Sequence, residues 1–315
     1  MVLPPLKPLA TAPEVAREAI GSLERELQSG TDPFYLERVR GELHLLEEGR
    51  AEGVFAPSGR AFATAVVLWR RRPLGILELR VLYLEPSLRS SEGWTRLLRD
   101  AAASAASWGQ IGLCQAPLLG LPPLEQASVF RASGLEPFTR YEMVFPPTAT
   151  IPDPAPIGAI RLRPSVPEDE PRLARLHQRA YARSLDRFLF LKEADPRKDS
   201  DEHLRDLISG KNGGFFAWAS HIAENDDRLA GAVLVVDWNG SLIAEVMTDP
   251  DFEGRGIATE LIRRSLRSLR ERGKEPARLN VTGENVRALS LYGRIGFAVS
   301  LGPETGWYSR TVLGL

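Results

Sequence analysis

The sequence predicts an α/β fold of two tandem domains, each a mixed, mostly antiparallel sheet flanked by helices. The 315 residues exceed one average core and suit two domains of about 150 residues each. The run Trp-Asn-Gly-Ser at residues 238–241 is typical of a hairpin between antiparallel strands. A strand–helix–strand order within each half indicates that the sheets also contain parallel neighbours.

A proline-rich run separates the two halves. Five prolines fall among the eleven residues 146–156, a composition that favours extended, semi-rigid backbone without a hydrogen-bonded ladder. We therefore expect a first domain over residues 1–147, a linker over residues 148–158 and a second domain over residues 159–315.

The first half begins with helices and continues with strands. Leucines recur at helical spacing over residues 12–50, with an interruption near residues 30–33. Apolar runs of strand length follow, and one more helix separates the last two of them. The strands are expected at residues 61–69, 75–84 and 110–114, and the helix at residues 93–108.

The second half repeats this order. It begins with a helix whose leucines share one face, and strands and helices then alternate. The helices are expected at residues 168–182, 256–273 and 286–295, and the strands at residues 214–222, 229–237, 242–248, 277–282 and within 307–312.

Composition excludes several classes of protein. The formal net charge of −1 gives no global field for nucleic acid or an anionic membrane surface. Cys114 is the single cysteine, so no internal disulfide forms, no thiol or histidine cluster completes a metal site, and a reducing cytoplasm is expected. The N-terminus lacks the pattern of a signal peptide, and no apolar run approaches the roughly 18 residues of a membrane span.

A glycine-rich turn is the most informative stretch of the chain. A predicted strand ends at Pro250, and Gly254 and Gly256 then precede an amphipathic helix. Backbone N–H groups at such a helix start favour an anion, and a diphosphate suits the two bare glycines. The turn lacks the Gly-Lys-Ser/Thr of a P-loop and the third glycine of a dinucleotide-binding fold. An ordinary tight corner without a ligand is the alternative.

The turn resembles the coenzyme A signature of the GNAT superfamily of N-acetyltransferases, Gln/Arg-x-x-Gly-x-Gly/Ala. Gly256 and Ala258 fill its last two positions, whereas Glu253 stands where Gln or Arg is usual and puts a carboxylate near a polyanion. The resemblance implies that acetyl-CoA binds along this stretch, through Glu253, Gly254, Arg255, Gly256, Ile257, Ala258 and Thr259.

A second block strengthens the resemblance, which covers roughly residues 161–310. Asn285, Ala288 and Tyr292 fall on one helix face and match the pattern Asn-x-x-Ala-x-x-x-Tyr, followed by Gly-Phe at residues 296–297. The resemblance implies that Asn285 binds the pantetheine arm, that Ala288 leaves room for it, and that Tyr292 protonates the departing thiolate. The alternative is that Tyr292 is a core aromatic residue.

The same resemblance assigns roles to the strand before the turn. Val246, Met247 and Thr248 are expected to supply backbone groups to the pantetheine and the thioester carbonyl. Glu245 is the leading candidate for the base that takes the proton of the amine. Asp237, His177 and His221 are the other candidates for this base.

The sequence does not identify the acceptor amine. Residues 181–192 combine aromatic and apolar side chains that either line an acceptor pocket or belong to the core. The charged run at residues 193–205 is expected to be a solvated helix face or a mobile loop.

The first half looks like a degenerate copy of the second. Aligning Pro86 with Pro250 places Arg89 opposite Glu253, Glu92 opposite Gly256 and Trp94 opposite Ala258. A carboxylate and an indole at these points are expected to repel a diphosphate and to fill its cradle. In the second block Phe130, which has no hydroxyl, replaces the tyrosine, and Pro123 replaces the asparagine.

We therefore expect a GNAT-like first domain that neither binds coenzyme A in this mode nor catalyses. The arrangement is similar to that of the mycothiol synthases, which join two GNAT domains of which one is active. No residue match carries over their substrate.

Two functions are consistent with these features. One is acetyl transfer from acetyl-CoA to an amine of a small molecule, peptide or protein by direct attack on the thioester. The other is a non-catalytic protein that binds coenzyme A or acyl-CoA in a regulatory or scaffolding role. A structural pair without any ligand is a third reading.

Overall fold

The computed structural model describes residues 3–28, 33–58, 63–153, 155, 157–211 and 213–313. By contacts between residues, the chain divides into two compact units. Unit 1 comprises Met1–Phe138 and Thr305–Leu315, and unit 2 comprises Thr139–Glu304.

Helices and strands alternate through both units. The elements up to residue 145 are β1 (Lys7–Pro8), α1 (Pro13–Gln28), α2 (Pro33–Glu47), β2 (Glu52–Pro57), β3 (Ala63–Arg72), β4 (Ile76–Leu84), α3 (Ser91–Ala105), β5 (Gln110–Cys114), α4 (Pro123–Ala132) and β6 (Glu136–Phe145). They are followed by β7 (Arg161–Pro164), α5 (Glu170–Ala180), α6 (Leu185–Phe190), α7 (Pro196–Ile208), β8 (Gly214–Phe215), β9 (His221–Asn225), β10 (Arg228–Asp237), β11 (Ser241–Thr248), α8 (Ile257–Glu271), β12 (Ala277–Thr282), α9 (Val286–Ile295), β13 (Ala298–Tyr308) and α10 (Arg310–Leu313).

Unit 1 contains a sheet in the order β1, β2, β3, β4, β5, completed by the end of β13. The β2, β3 and β4 strands are antiparallel, and β5 is parallel to β4. Trp307 and Tyr308 of β13 pair antiparallel with β5. The β3 strand is buried from Ala63 to Trp69, as expected for the centre of a sheet covered on both faces.

Unit 2 contains a sheet in the order β7, β9, β10, β11, β12, with residues 140–145 of β6 paired to β12. Only β11 and β12 in this described sheet are parallel neighbours, so the predicted mixed, mostly antiparallel sheet is confirmed. Alternate residues of β10 face opposite sides. Val233 and Val235 pack with α8, whereas Leu234 and its neighbours pack with α5 and α7.

The glycine at position 231 of β10 sets the position of α8. A Cβ on Gly231 would lie 2.8 Å from the Ile257 side chain and 3.0 Å from the carbonyl oxygen of Met247. The absence of a side chain therefore lets the first turn of α8 rest directly on the sheet.

Most predicted elements have the expected type. The helical interruption near residues 30–33, the first two residues of the predicted strand at residues 61–69, and the linker residues Pro154 and Pro156 lie largely or wholly outside the described residues. The predicted domain limits follow chain order and stay a prediction. The contact units differ from them, because residues 139–147 group with unit 2 and residues 305–315 group with unit 1.

Two strand predictions were wrong in extent. The strand expected at residues 214–222 is interrupted by a turn, in which the N–H groups of Ala219 and Ser220 donate to the carbonyl of Phe216. The final strand begins at Ala298 instead of residue 307, and residues 310–313 form α10. The elements that were not predicted are β1, β2, α4, β6, β7, α6 and α10.

The charged run at residues 193–205 is not a solvated face throughout. It contributes to α7, which buries Asp199, Ser200 and Leu204. None of the helices in the described residues is long and apolar enough to cross a membrane.

Candidate active site

A wedge opens between the parallel strands β11 and β12. These strands pair only through Ser241, Leu242 and Ile243 of β11, although β11 continues to Thr248 beside β10. A register shift leaves Ala244 without a partner on β10, which is a β-bulge that bends β11 at this point. Beyond Ile243, the edge of β11 that faces β12 therefore pairs with no strand of the described residues. Val246, Met247 and Thr248 lie on this part of the strand.

The glycine turn at the end of β11 is shaped for close approach of a ligand. Gly254 and Gly256 have φ angles of 76° and 78°, in the left-handed region that favours glycine. A Cβ on Gly254 would meet no atom within 4 Å, so the space beside it is open. Gly256 is the N-cap of α8 and no side chain caps this helix start. The N–H groups of the first turn, at Ile257, Ala258 and Thr259, are thus available to an anion.

Glu253 is paired with a cation. Its carboxylate accepts a hydrogen bond from the guanidinium of Arg287, which lies in the first turn of α9. Both side chains are largely exposed. The carboxylate that departs from the coenzyme A signature is therefore accompanied by a positive charge from the second signature block.

Asn285 has a structural role at the start of α9. It is the N-cap, and its side-chain oxygen accepts a hydrogen bond of 3.1 Å from the N–H of Ala288. Asparagine is among the residues preferred at this position. Its side-chain amide N–H groups remain able to donate to a ligand.

Tyr292 lies two turns further along α9. Its residue is 7% exposed, and its ring contacts Phe297 with 6.0 Å between centroids. Burial raises the pKa of its hydroxyl, and the negative charges of Glu245 and Asp186 raise it further. Its hydroxyl makes no hydrogen bond with any side chain or backbone group of the described residues. The phenol is therefore a neutral proton donor.

Glu245 is the centre of a buried hydrogen-bonded cluster. The residue is 8% exposed and lies directly after the bulge of β11. Its Oε2 accepts a hydrogen bond of 2.8 Å from the Tyr181 hydroxyl, and its Oε1 lies 2.7 Å from Nε2 of His203. Burial by itself raises the pKa of the carboxyl, but the hydrogen bonds and the nearby histidines outweigh burial and lower it. Glu245 is therefore ionised at neutral pH.

Two histidine rings lie beside Glu245. The centroids of the His177 ring on α5 and the His203 ring on α7 are 4.8 Å apart, because these two helices pack together. Burial lowers the pKa of His177, whose Nδ1 lies 2.9 Å from the Ser200 hydroxyl. Burial also acts to lower the pKa of His203, but the hydrogen bond and charge of Glu245 raise it overall. Glu245 thus favours the imidazolium form of His203, whereas burial favours the neutral form of His177.

The same three side chains have the composition of a metal site. One carboxylate oxygen of Glu245 and one ring nitrogen each from His177 and His203 lie within 4.8 Å of one another, an arrangement that can hold a metal ion. From the sequence, no histidine cluster that completes a metal site was predicted, and His177 and His203 correct this prediction. The expectation that the enzyme needs no metal stays a prediction.

The other base candidates lie elsewhere. Buried His221 has Nδ1 3.2 Å from the carbonyl of Ala219 and 3.4 Å from the Ser265 hydroxyl, and burial lowers its pKa to about 4. Asp237 accepts a hydrogen bond of 3.3 Å from the N–H of Gly240 in the hairpin. Neither has a described interaction with Glu245.

Sequence reasoning missed His203 and Tyr181. Tyr181 lies in the stretch expected to line an acceptor pocket, and His203 lies in the charged run that was read as solvated. The spacing along α7 could have indicated His203. It is four residues from Asp199 and three from Ser200, so the three share one face of a helix that also carries buried leucines.

In unit 1, Trp94 lies at the start of α3 and is fully buried, and its indole N–H donates a hydrogen bond of 3.2 Å to the carbonyl of Leu119. That its indole fills a ligand cradle stays a prediction. Phe130 is also buried, and its ring stacks on Trp307. The expectation that this unit neither binds coenzyme A nor catalyses also stays a prediction.

A comparison with protein families finds a match. Residues 171–297 match the model of the acetyltransferase (GNAT) family. This part of the chain is similar to a GNAT acetyltransferase domain. The matched segment contains Glu245, the glycine turn and Tyr292.

Several relatives that this chain is similar to are acetyltransferases by name. Mycothiol acetyltransferase from Thermobifida fusca is 29% identical over 90% of this chain and 88% of its own length. The same enzyme from Saccharomonospora viridis is 30% identical over 46% of this chain and 48% of its own length. An uncharacterized N-acetyltransferase from Methanocaldococcus jannaschii is 33% identical over 32% of this chain and 41% of its own length.

These alignments span less than half the length of the latter two relatives. By the family match of residues 171–297 and the names of its relatives, the chain is similar to acetyltransferases. The similarity to the mycothiol synthases that the tandem arrangement suggested is also confirmed.

Solved structures show the same fold. A GCN5-related N-acetyltransferase from Sphaerobacter thermophilus superposes with a TM-score of 0.56 at 17% identity, over 98% of this chain and 95% of that chain. The glucosamine N-acetyltransferase region of a fungal β-N-acetylglucosaminidase gives a TM-score of 0.58 at 14% identity, over 96% of this chain and 38% of that chain. At these identities the likeness concerns the fold alone.

Proposed function

We propose that unit 2 transfers an acetyl group from acetyl-CoA to an amine that attacks the thioester directly. The observation that carries the proposal is the buried Glu245–His203 pair at the bulge of β11, in the same part of the unit as the neutral phenol of Tyr292. One group of this arrangement accepts a proton and the other donates one, which is what acyl transfer to an amine needs.

The glycine turn fits the coenzyme. Acetyl-CoA supplies the acyl group as a thioester. Its diphosphate would be held by the N–H groups of residues 254–259, where both glycines are left-handed and the space beside Gly254 is open. Asn285 and Ala288 would flank the pantetheine, and the free edge of Val246–Thr248 would supply backbone hydrogen bonds to it.

The Glu245–His203 pair accepts the proton of the attacking amine. Glu245 alone is a weak base because its pKa is lowered, but its Oε1 shares a hydrogen bond with His203. The imidazole takes up the proton, and the carboxylate stabilises the resulting imidazolium. Tyr181, bonded to the other carboxylate oxygen, holds Glu245 in place.

Tyr292 donates its proton to the departing sulfur. A phenol whose pKa is raised by burial is protonated at all physiological pH values, so it is always ready to donate. Unit 1 is proposed to be non-catalytic, because Phe130 has no hydroxyl at the corresponding position.

The test is release of free thiol from acetyl-CoA across a panel of amines. Tyr292→Phe is expected to lower kcat by about 10²-fold or more while binding of coenzyme A is kept, since loss of an acid costs about 10²–10⁴-fold. Tyr83→Phe, a change of the same type in buried Tyr83 of unit 1, is the matched control and should keep full activity. Coenzyme A binding by calorimetry without any thiol release would favour the non-catalytic alternative instead.

A further inference from the structure

Arg140 lies beside the proposed reaction centre. It is on β6, directly opposite Thr282 at the end of β12. The carboxylates of Asp186 and Glu245 attract its guanidinium, and Asp186 also acts on Tyr181 and Tyr292. Arg140 therefore belongs to the same group of ionisable side chains as the proposed base and acid.

The guanidinium of Arg140 is poorly satisfied. Its nearest carboxylate oxygen is Oδ1 of Asp186 at 3.6 Å, which is an ion-pair distance but not a hydrogen bond. Its remaining contact is a cation–π contact of 4.5 Å with the ring of Phe190. No described residue accepts a hydrogen bond from it, although a guanidinium offers five N–H donors.

Arg163 of unit 2 is a comparison for Arg140, because its guanidinium makes hydrogen bonds with nearby carboxylates. The two side chains are equally exposed, at 23% for Arg140 and 24% for Arg163. Arg163 donates to both oxygens of Asp169 at 2.7 and 2.8 Å and also to Glu224. These hydrogen bonds raise the pKa of Arg163, whereas burial lowers that of Arg140 because the acids around it compensate only in part.

Asp186 does not supply the missing acceptors. Its Oδ1 accepts a hydrogen bond from the Thr282 hydroxyl, and its Oδ2 accepts one of 3.2 Å from the Ser184 hydroxyl. Glu304 also attracts Arg140, but no ion pair within 4 Å joins them in the described residues. No described residue therefore supplies acceptors for the remaining N–H donors of Arg140.

We propose that the acceptor is an amine that also carries a carboxylate, and that Arg140 binds this carboxylate through paired N–H···O hydrogen bonds. The fork of a guanidinium matches the two oxygens of a carboxylate, and a half-buried guanidinium gains more from such a pair than an exposed one. Because the charge of Glu245 acts on Arg140, we expect the amine and the carboxylate at the two ends of one small acceptor, as in an amino acid. This inference rests on the proposed acetyl transfer.

The experiment compares matched acceptors. Amino acids, their C-terminal amides and their decarboxylated amines are assayed by thiol release with the wild-type protein, Arg140→Gln and Arg140→Lys. The wild type is expected to favour the carboxylates by about tenfold or more in kcat/KM, the order of one good charge-assisted hydrogen bond. Arg140→Gln should lose this preference because the KM of the amino acids rises towards that of their decarboxylated amines, and Arg140→Lys should keep part of it.

Matched measurements separate the outcomes. Arg183→Gln removes an exposed arginine of the same region and should keep the preference, and unfolding temperatures check that each variant is folded. Equal kcat/KM for acids, amides and amines would overturn the carboxylate assignment and leave acetyl transfer intact. A preference for phosphate-bearing amines that depends on Arg140 would also overturn it. Failure of every amine, with coenzyme A bound, would overturn the proposed function itself.

Discussion

Glu253 and Arg287 form an ion pair that joins the glycine turn to the first turn of α9. These two residues come from the two sequence blocks that resemble the coenzyme A signatures. Glu253 stands where the signature usually has Gln or Arg, and Arg287 returns a positive charge to the same place from the neighbouring helix. The departure from the signature therefore leaves the local charge close to neutral.

The first prediction concerns this pair. Arg287→Ala leaves Glu253 unpaired beside the proposed diphosphate, so the KM for acetyl-CoA should rise by roughly fivefold, equivalent to about 1 kcal/mol, with kcat little changed. Adding Glu253→Gln to that variant should restore the KM, because the repelling carboxylate is gone. The measurement is initial rate against acetyl-CoA concentration at low and high salt. A double variant as impaired as Arg287→Ala, or an effect insensitive to salt, would contradict this account.

The second prediction concerns pH. Burial acts to lower the pKa of His203, but Glu245 raises it above the ordinary value of 6.5. Because the pair accepts a proton only when His203 is neutral, kcat/KM should rise with pH through this raised pKa. Glu245→Gln lacks the carboxylate that stabilises the His203 imidazolium. The rise of kcat/KM with pH should therefore move to lower pH, and the maximal rate should fall by about 10²-fold or more. The measurement is the pH profile of kcat/KM for the wild type and for Glu245→Gln. If kcat/KM rises over the same acidic pH range in both, His203 and Glu245 do not accept the proton.

The third prediction separates strain from ligand binding at the glycine turn. Gly254 and Gly273 both have left-handed φ angles, 76° and 63°, and a Cβ at either position meets nothing within 4 Å. Gly254→Ala and Gly273→Ala should therefore lower the free energy of unfolding by similar amounts, about 1 kcal/mol each. Only Gly254→Ala should weaken coenzyme A binding, because Gly273 lies at the other end of α8. Calorimetric titration with thermal unfolding of both variants checks this, and equal binding would exclude the turn as the diphosphate site.

The sequence predicted those parts of the site that depend on local chemistry. The bounds of β12 and α9 were predicted to the residue, since Asn285 caps the helix and its capping signal is local. The His203–Glu245 pair was not predicted, because it forms only when α7 packs on α5 and beside β11. The final strand was misplaced for a similar reason. Trp307 and Tyr308 pair with β5, almost 200 residues away in sequence, and no local pattern indicates such a partner.

The fourth prediction concerns metal ions. Acetyl transfer by Tyr292 and the Glu245–His203 pair uses no metal, so treatment with EDTA should leave activity unchanged. Added zinc should inhibit, because His177, His203 and Glu245 offer three ligand atoms and a bound ion would displace the proton that the pair has to carry. Inhibition should weaken at lower pH, since protons compete for the two imidazoles.

Zinc binding is measured by competition with a chromophoric chelator in the wild type, His203→Gln and His44→Gln. The last of these removes an exposed histidine of unit 1 and is the control that should still bind. Loss of activity in EDTA that added metal restores would show instead that the cluster holds a required ion, and the proton would then need another acceptor.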